Sequence, residues 1–463
     1  MTLCRMSHWT ALGLSLLLAL ALPANARACA PQDVLIRGGW LFDSEAGLRV
    51  RNPGLVVRQG RILGPLAKLD ASAPTLTLNN QQTVLPGFFD LHAHYNVNLF
   101  GKRRDETRVQ PTVYLANGVT STFTGGEYNP DEMRALEQRI AAGTQLGPRL
   151  YRAGPYFGTV RPDFNHDWTA EQVMAAVDEA VANGARSFKA KGIRGLQLEA
   201  LIERAHHHGL TVTAHLDSGF RNSVNTADAI AMGIDRIEHF LGGEMTPPSA
   251  PAYTSLAAWT ADTPGLEPAI QRFLDHQVVF DATLTAYGYF GTRGPLYDDW
   301  ADETDFFTPY VQEEVARRDG WRQIRGFEEI FQNKQISLLA LYLAGGHITT
   351  GTDHVSGGEY LPGFSIHREM HAMVTAGIPA AAVLQIATLQ GARALGVSDR
   401  LGSLRIGKLA DMVVIDGDPT EDITCTREVL WVIRGGVVHD SAALLDSVRG
   451  KLGPRNKEEA AAW

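Results

Sequence analysis

The chain has 463 residues, of which 44% are hydrophobic and 20% are charged, so it can build one large domain or two smaller ones around a sizeable core. Its formal net charge is −9 at pH 7. An acidic chain is poorly suited to nucleic acid or to an anionic membrane surface, so both are excluded as expected partners.

Residues 1–28 have the pattern of a secretory signal. A basic residue, Arg5, precedes the apolar run "ALGLSLLLALAL", and the small residues of Ala26-Arg27-Ala28 follow. Cleavage there removes two arginines and no acids, which leaves 40 basic against 51 acidic residues and a net charge of −11. We therefore expect a periplasmic or secreted protein with no membrane span, beginning near Cys29.

The position of Cys29 raises two further alternatives. A lipoprotein is less favoured than a cleaved protein, since "ARAC" lacks the large aliphatic residue expected three places before a lipid-modified cysteine. Cys4 lies in the signal, so Cys29 and Cys425 are the cysteines of the mature chain. A single disulfide and two free thiols both remain open.

Both ends of the mature chain predict short β-strands. Residues 33–85 and 404–440 alternate apolar and polar residues between turns, as half-buried antiparallel strands do. We predict a small β-sandwich domain made of residues 29–85 and 399–445, followed by a C-terminal tail at 446–463.

The middle of the chain predicts an α/β fold, a (β/α)8 barrel over residues 86–398. Short apolar runs alternate there with helical patterns, as in parallel βα units, and eight runs can be counted. The runs are "TVLPGFFDLHAH", "GVTSTFTGG", "RLYRAGPYF", "ARSFKAKG", "LTVTAHLDS", "DRIEHF", "VVFDATLTA" and "HITTGTDH". Two longer spacers, roughly 241–269 and 288–335, predict helical caps or lids over the active face.

Several of these runs end in side chains that can bind metal. Active sites of such barrels lie at the C-terminal ends of the strands. His92 and His94 are separated by one residue, so both face the barrel axis. The full set of candidates, in chain order, is His92, His94, Lys189, His215, His239 and Asp353.

This order of residues resembles the amidohydrolase superfamily. The resemblance rests on the order HxH, Lys, His, His, Asp, on "LPGFFDLHAH" and on "GKLADMVVIDGDP", and it covers nearly all of the mature chain. Within the superfamily the chain is most similar to prolidase-like and imidazolonepropionase-like members, whose two metals are bridged by a carboxylated lysine. "GARSFKAKG" indicates Lys189 as that lysine, with Lys191 on the same face as the alternative.

The resemblance implies a site with two divalent metal ions. His92, His94 and Asp353 would hold one ion, His215 and His239 the other, and Lys189, modified to N6-carboxylysine, would span them with a bridging hydroxide as nucleophile. Asp353 would be the catalytic base that passes the proton to the departing amine. Zn²⁺ suits this mixed nitrogen and oxygen set best, with Mn²⁺, Co²⁺ and Fe²⁺ as alternatives.

The resemblance also implies cleavage of an amide bond in a small molecule or short peptide, such as a dipeptide or an N-acyl amino acid. Dipeptidase-like relatives often have tyrosine where this chain has Asp217, which could instead hold a substrate amine. Tyr287, Tyr289 and Arg161 are candidate substrate contacts, for which packing is the alternative. A homo-oligomer is a family-level expectation.

Two other functions remain open at this point. An esterase, lactonase or phosphotriesterase could use the same bridged metals. A non-catalytic scaffold would keep the barrel and lose the chemistry, although all the expected ligands are present. Other metal-capable residues, His206 to His208 at a helix end and His354 beside Asp353, are expected to be structural.

Overall fold

A computed structural model describes residues 33–64, 73–257, 262–291, 301–317, 324–354 and 360–463. The predicted signal and Cys29, and with them the question of the disulfide, lie outside these residues. Among the described residues Cys425 has no disulfide partner; it is half-buried, and burial raises the pKa of its thiol to about 12. Within the described ranges, no helix has both the length and the apolar character that a membrane crossing requires.

The strands of the described residues lie in four sheets. In chain order, β1 to β9 are Val34–Asp43, Leu48–Arg51, Leu55–Arg58, Arg61–Ile62, Thr75–Pro86, Phe88–Ala93, Asn96–Leu99, Lys102–Asp105 and Val119–Thr124. The strands β10 to β18 are Arg149–Tyr151, Ser187–Lys191, Thr211–His215, Arg236–Glu238, Val279–Asp281, His347–Thr349, Met412–Asp416, Val429–Arg434 and Val437–Asp440.

The helices lie mainly between the strands of the middle region. The helices α1 to α8 are Gln110–Ala116, Pro130–Ala141, Ala170–Ala182, Gly195–His207, Thr226–Ala231, Ala252–Leu256, Leu266–Asp275 and Leu284–Gly288. The helices α9 to α15 are Pro309–Ala316, Phe327–Leu343, Ser365–Thr375, Ala380–Gln385, Gly391–Ala394, Ser441–Val448 and Lys457–Ala462. Shorter 3-10 turns span Phe220–Asn222, Gly243–Met245, Ala301–Phe306 and Ile423–Arg427, and a π-helical turn spans Ile386–Gln390.

The two ends of the described chain form one eight-stranded sheet in the order β18-β17-β16-β5-β1-β3-β4, with β2 paired to β1. The N-terminal strand β5 and the C-terminal strand β16 are antiparallel neighbours in this sheet. The described residues place a single sheet here, and the two facing layers of the predicted sandwich are not seen among them. The predicted C-terminal tail contains part of α14 and all of α15.

The middle region is α/β, as expected, and each of the eight predicted runs contains a strand. The strands β6, β9 and β10 form one parallel sheet, and β11 to β15 form a second parallel sheet in chain order. All residues of β6 and β9 are buried, which is typical of parallel strands covered on both faces.

Backbone hydrogen bonds connect the edges of these two parallel sheets. At one edge the amide of Phe157 donates to the carbonyl of Lys189 at 2.9 Å, and the amide of Lys191 donates to Phe157 at 3.0 Å. At the other edge the amide of Leu91 donates to Thr350 at 2.9 Å. The carboxyl ends of the strands are therefore held close to one another, where the candidate residues lie.

The helices around these sheets begin at clear capping signals. Thr169 and Gln172 form a reciprocal capping box at the start of α3, and the side chain of Asn129 accepts from the amide of Glu132 at the start of α2. The two long spacers contain short helices, including α6 and α9. Their role as caps or lids stays a prediction.

Candidate metal centre

His92 and His94 lie at the end of β6 and face the same side, as their spacing predicts. Both are buried, and their ring centroids are 5.3 Å apart. The Nε2 atoms of His94 and His92 lie 2.8 Å and 3.3 Å from Oδ1 of Asp353. The imidazoles of His92 and His94, at the first strand of the predicted barrel, therefore both contact one carboxylate oxygen of Asp353, which follows the last strand.

A glycine at the end of the next strand makes room for this pair. An ideal Cβ on Gly125 would lie 2.2 Å from Cδ2 of His92, closer than a Cβ atom can approach, and 3.2 Å from Cε1 of His94, a tight contact. Any larger residue at position 125 would displace the imidazoles.

Asp353 reaches the site through an unusual backbone conformation. It lies four residues beyond the end of β15 and has a left-handed φ of 44°. Its amide donates to the carbonyl of His92 at 3.0 Å, which holds this turn against β6. Burial would raise the pKa of Asp353, but the neighbouring His92 and the hydrogen bond from His94 hold it well below its usual range.

Lys189 points into the same space from β11. Its side chain is 1% exposed, and its Nζ lies 3.4 Å from Nε2 of His92 and contacts Oε2 of Glu238. Burial lowers the pKa of Lys189 well below the usual lysine value. Lys191, the alternative bridging residue, is half-buried at the end of the same strand.

His239 enters the site just beyond a strand rather than within it. The strand β13 ends at Glu238, and His239 has a left-handed φ of 67°. Its Nδ1 is 2.6 Å from Oγ1 of Thr283, which leaves Nε2 facing the site, 3.8 Å from Oδ2 of Asp353. The ring centroids of His215 and His239 are 4.4 Å apart. The ends of β12 and β13 therefore bring these two imidazoles together.

Two buried carboxylates beside His92, those of Glu238 and Asp281, were not predicted from the sequence. Glu238 and Asp281 are fully buried, with Oε2 and Oδ2 at 3.5 Å and 3.9 Å from Nδ1 of His92. Burial raises the pKa of Asp281 to about 8. Glu238 and Asp281 are register partners and each is the last residue of its strand, β13 or β14, so the rule that barrel sites lie at the C-terminal ends of strands was the signal that could have found them.

The cluster has the donors that a divalent cation requires. One atom from each of His92, His239 and Asp353 lies within 4.8 Å of the others, and the same holds for His92, Glu238 and Asp281. Within the described ranges, Nδ1 of His92, Nδ1 of His215 and both carboxylate oxygens of Asp281 are buried and have no hydrogen-bond partner. Buried polar atoms without partners are costly, so bound cations fit this donor set.

A buried lysine that was not predicted as a site residue contacts the backbone of His239. Lys334, on α10, is 2% exposed, and its Nζ donates to the carbonyl oxygen of His239. The ammonium also lies 4.3 Å from the ring centroid of Tyr287. Burial lowers the pKa of Lys334 to about 7. No local pattern in α10 distinguishes this lysine from a surface lysine.

The candidate substrate residues have other contacts. Arg161 forms a bidentate ion pair with Asp163, with two distances of 2.7 Å. Tyr287 is buried and stacks on Phe327 with ring centroids 6.0 Å apart. Asp217 is half-buried at the rim; burial raises its pKa, and nearby backbone amides, that of Ala252 first, oppose this shift. A role in substrate binding stays a prediction for all three.

The histidines that were expected to be structural do have local partners. His206 and His208 lie 3.0 Å and 2.7 Å from carboxylate oxygens of Asp235 and Asp178. His354 is buried, its ring packs edge-on against Tyr289, and burial lowers its pKa to about 3.

Comparison with known proteins gives matches in sequence and in structure. The model of the amidohydrolase family matches residues 83–438. A 5-methylthioadenosine/S-adenosylhomocysteine deaminase from Syntrophobacter fumaroxidans is 38% identical over 79 residues, which are 16% of this chain and 18% of the relative. A D-aminoacylase from Alcaligenes xylosoxydans is 30% identical over 191 residues, which are 34% of this chain and 37% of the relative. These alignments therefore span well under half of each curated relative.

The structural comparison covers more of the chain. The crystal structure of a Xaa-Pro dipeptidase with methionine bound in its active site matches with a TM-score of 0.63 and 21% identity, over 88% of this chain and 100% of that one. A likeness at this level of identity is a likeness of fold.

Proposed function

The chain belongs to the amidohydrolase family, and from this premise we propose that it is a metal-dependent hydrolase that cleaves an amide or related C–N bond in a small molecule or short peptide. The observation that supports the proposal most directly is the meeting of His92, His94, Lys189, His239 and Asp353 around one buried space, with His215 beside His239. These residues come from five strands or strand ends, so chance clustering is a poor explanation.

We further propose that the two parallel sheets close into one (β/α)8 barrel. The hydrogen bonds from Phe157 to Lys189 and from Leu91 to Thr350 support closure at both gaps. In a closed barrel the candidate residues lie at the C-terminal mouth, which is where barrel enzymes have their active sites.

In this proposal His92, His94 and Asp353 would hold one divalent cation, His215 and His239 would hold a second, and Lys189, modified to a carboxylated lysine, would contribute to both. Zn²⁺ is the preferred ion for this donor set. When bound, such cations polarise a carbonyl oxygen and make water a competent nucleophile near neutral pH. The low pKa of buried Lys189 supports its modification, since only the neutral amine reacts with carbon dioxide.

The protein's own groups then have separate tasks. Asp353 takes the proton from the attacking water and delivers it to the departing amine nitrogen, for which its low pKa keeps it ionised beforehand. Thr283 fixes the orientation of the His239 ring through the 2.6 Å contact, and Lys334 holds the backbone of His239. His239 and Thr283 are buried, whereas the side chain of Asp353 is 26% exposed.

The activities for which the relatives are named support C–N bonds as the target. A deaminase, a D-aminoacylase and a Xaa-Pro dipeptidase are among the proteins that this chain resembles. Dipeptides and N-acyl amino acids are therefore the first substrate classes to test.

The decisive experiment combines metal analysis with a substrate screen. Purified protein is expected to contain up to two divalent metal ions per chain, Zn²⁺ first among them. It is also expected to hydrolyse some members of a panel of dipeptides and N-acyl amino acids. Activity on aryl esters with none on the amide panel would favour an esterase. Well under one metal ion per chain after reconstitution would favour the non-catalytic scaffold.

The carboxylated lysine has a test of its own. Apoprotein that is reconstituted with Zn²⁺ in buffer freed of carbon dioxide is expected to bind less metal than with added bicarbonate. Lys189→Met should remove this dependence, whereas Lys191→Met should keep it. A bicarbonate effect that follows Lys191 would reverse the assignment.

Export of the chain is proposed from residues 1–28 alone. Mass spectrometry of the protein expressed with its full N-terminus is expected to find a chain that begins near Cys29. Recovery of an intact N-terminus from a cell with a working secretion system would contradict this.

A further inference from the structure

Lys191 occupies a defined place at the rim of the candidate site. It is the last residue of β11, and strand alternation gives its side chain the same direction as that of Lys189. Its register partner on the neighbouring strand is His215. Residues in register on adjacent parallel strands face the same side, so Lys191 and His215 are neighbours at the mouth of the site.

The backbone at Lys191 has little freedom to move. Its amide donates to the carbonyl of Phe157 at 3.0 Å. Its carbonyl oxygen is packed against Gly158, where an ideal Cβ would lie only 2.0 Å away. Gly158 has a φ of 132°, which an L side chain rarely adopts, so a glycine is required for this close approach. The side chain of Lys191 therefore starts from a fixed point.

Charged groups from three other segments lie within electrostatic reach of Lys191. These groups are the carboxylates of Asp353 and Asp217 and the guanidinium of Arg103. Arg103 lies on the β7–β8 hairpin, where its guanidinium stacks over Tyr128 at 4.7 Å. The rim thus has two cations, Lys191 and Arg103, beside two carboxylates.

Both carboxylates are already engaged by other groups. Oδ1 of Asp353 accepts from His94, and backbone amides stabilise the charge of Asp217. Across the described part of the chain, no hydrogen bond or ion pair joins the ammonium of Lys191 to a carboxylate. A half-buried ammonium without a partner costs free energy, which a bound anion would recover.

We propose that Lys191 is the subsite for a carboxylate of the substrate, so that the substrate is an N-acyl amino acid or dipeptide with a free carboxylate near the scissile bond. This inference rests on the proposed hydrolytic function, because it assigns the substrate class of the same site. Lysine is a point charge on a flexible stem, which suits a carboxylate whose position varies among substrates.

The test compares free acids with their amides. Metal-loaded full-length protein is assayed on N-acetyl amino acids and dipeptides, each beside its C-terminal amide, which removes the charge and keeps the scissile bond. The acids are expected to have KM values about tenfold lower or more, and Lys191→Met should raise KM for the acids by about tenfold to a hundredfold without changing KM for the amides.

Two further variants complete the design. Lys191→Arg keeps the charge and should restore part of the preference for acids. Lys451→Met, which removes an exposed lysine whose Nζ donates to Ser447, should leave all KM values unchanged. Metal content and melting temperature are measured for each variant so that a folding defect is recognised.

The possible failures can be told apart. An equal loss on acids and amides in Lys191→Met, or a loss of bound metal, would overturn the subsite and leave the hydrolytic function intact. If the metal-loaded wild type cleaves neither series, the proposed function fails. Calorimetric binding of N-acetyl-leucine and its amide then decides the subsite: weaker binding of the acid alone in Lys191→Met supports it, and no difference from the wild type overturns it.

Discussion

Asp353 combines a left-handed backbone, contact with two imidazoles and a strongly lowered pKa. A non-glycine residue in this conformation is strained, and such strain is often found at functional sites. The hydrogen bond from its amide to the carbonyl of His92 maintains the conformation. The position of this carboxylate is therefore a property of the fold and does not depend on its charge.

We predict that Asp353→Asn keeps the fold and much of the metal but loses hydrolysis, by about 10²- to 10⁴-fold in kcat. An amide has nearly the shape of the carboxylate but cannot accept the proton. Metal analysis and steady-state kinetics check this, with Asp163→Asn, at a surface ion pair with Arg161, as the control. Full activity of Asp353→Asn would refute the assignment of the base.

At the scale of single residues, the sequence predicted the histidines better than the acids. His92 and His94 follow from strand alternation, and the structure places them on one side. The left-handed turns at His239 and Asp353 could not be predicted, because local sequence rarely specifies a positive φ outside glycine. Glu238 escaped notice because it precedes His239, and simple alternation within a strand would have turned it away from the site.

At the scale of elements, the residue after β9 can approach the histidines of β6 because it is a glycine. Gly125, just beyond β9, lies against both histidines of β6. We predict that Gly125→Ala lowers metal affinity by about 10- to 100-fold, because the added methyl group displaces the rings of His92 and His94. Titration of apoprotein with Zn²⁺ measures this.

Gly195→Ala is the matched control for this glycine. It lies at the first position of α4, and its added Cβ would lie 3.4 Å from Cε of Met232, an ordinary contact. Its metal affinity should equal that of the wild type. Equal metal affinities for the wild type, Gly125→Ala and Gly195→Ala would contradict the prediction, because they would mean that the imidazoles move without weakening metal binding.

A buried ion pair joins α11 to the 3-10 turn at Ala301–Phe306. Arg368 of α11 donates to Glu303 in the 3-10 turn at Ala301–Phe306, and both side chains are fully buried. We predict that Arg368→Met lowers the free energy of unfolding by about 3 to 5 kcal/mol, since it removes the cation that pairs with the buried carboxyl group of Glu303.

The double variant Arg368→Met with Glu303→Leu should recover part of this loss, because no buried charge remains. Urea unfolding of the single and double variants measures the difference. A double variant that is no more stable than Arg368→Met would contradict this prediction.

The order of the elements was predictable and their arrangement was less so. Each of the eight predicted runs holds a strand, because continuous apolar runs of this length are typical of buried parallel strands. The pairing of β5 with β16 joins segments more than 300 residues apart, and no local pattern indicates such pairing. The expectation of a sandwich followed from alternation alone, which does not distinguish one sheet from two.

At the scale of the whole molecule, buried carboxyl groups give the stability a dependence on pH. Glu127 is 4% exposed, and burial raises its pKa to about 7 although Arg152 lies nearby. The folded protein therefore holds a proton that the unfolded chain releases above its ordinary pKa of 4.5. This stabilisation is complete below pH 4.5 and is lost as the pH rises to about 7.

We predict that Glu127→Gln removes this part of the pH dependence, which amounts to about 3 kcal/mol at most. The stability of the wild type relative to Glu127→Gln should fall steadily between pH 5 and pH 7, measured by urea unfolding at a fixed metal content. The exposed pair partner Glu313, changed to Gln, is the control. Parallel curves for the wild type and Glu127→Gln would contradict the prediction.

The antiparallel pairing of Thr75–Pro86 with Met412–Asp416 has a consequence for synthesis of the chain. During translation, the edge of β5 that pairs with β16 stays unpaired until more than three hundred further residues have been synthesised. Chains that stop short of residue 412 carry an open strand edge, and such edges recruit other chains. Truncated products of this protein are thus expected to aggregate even when their parallel strands are complete.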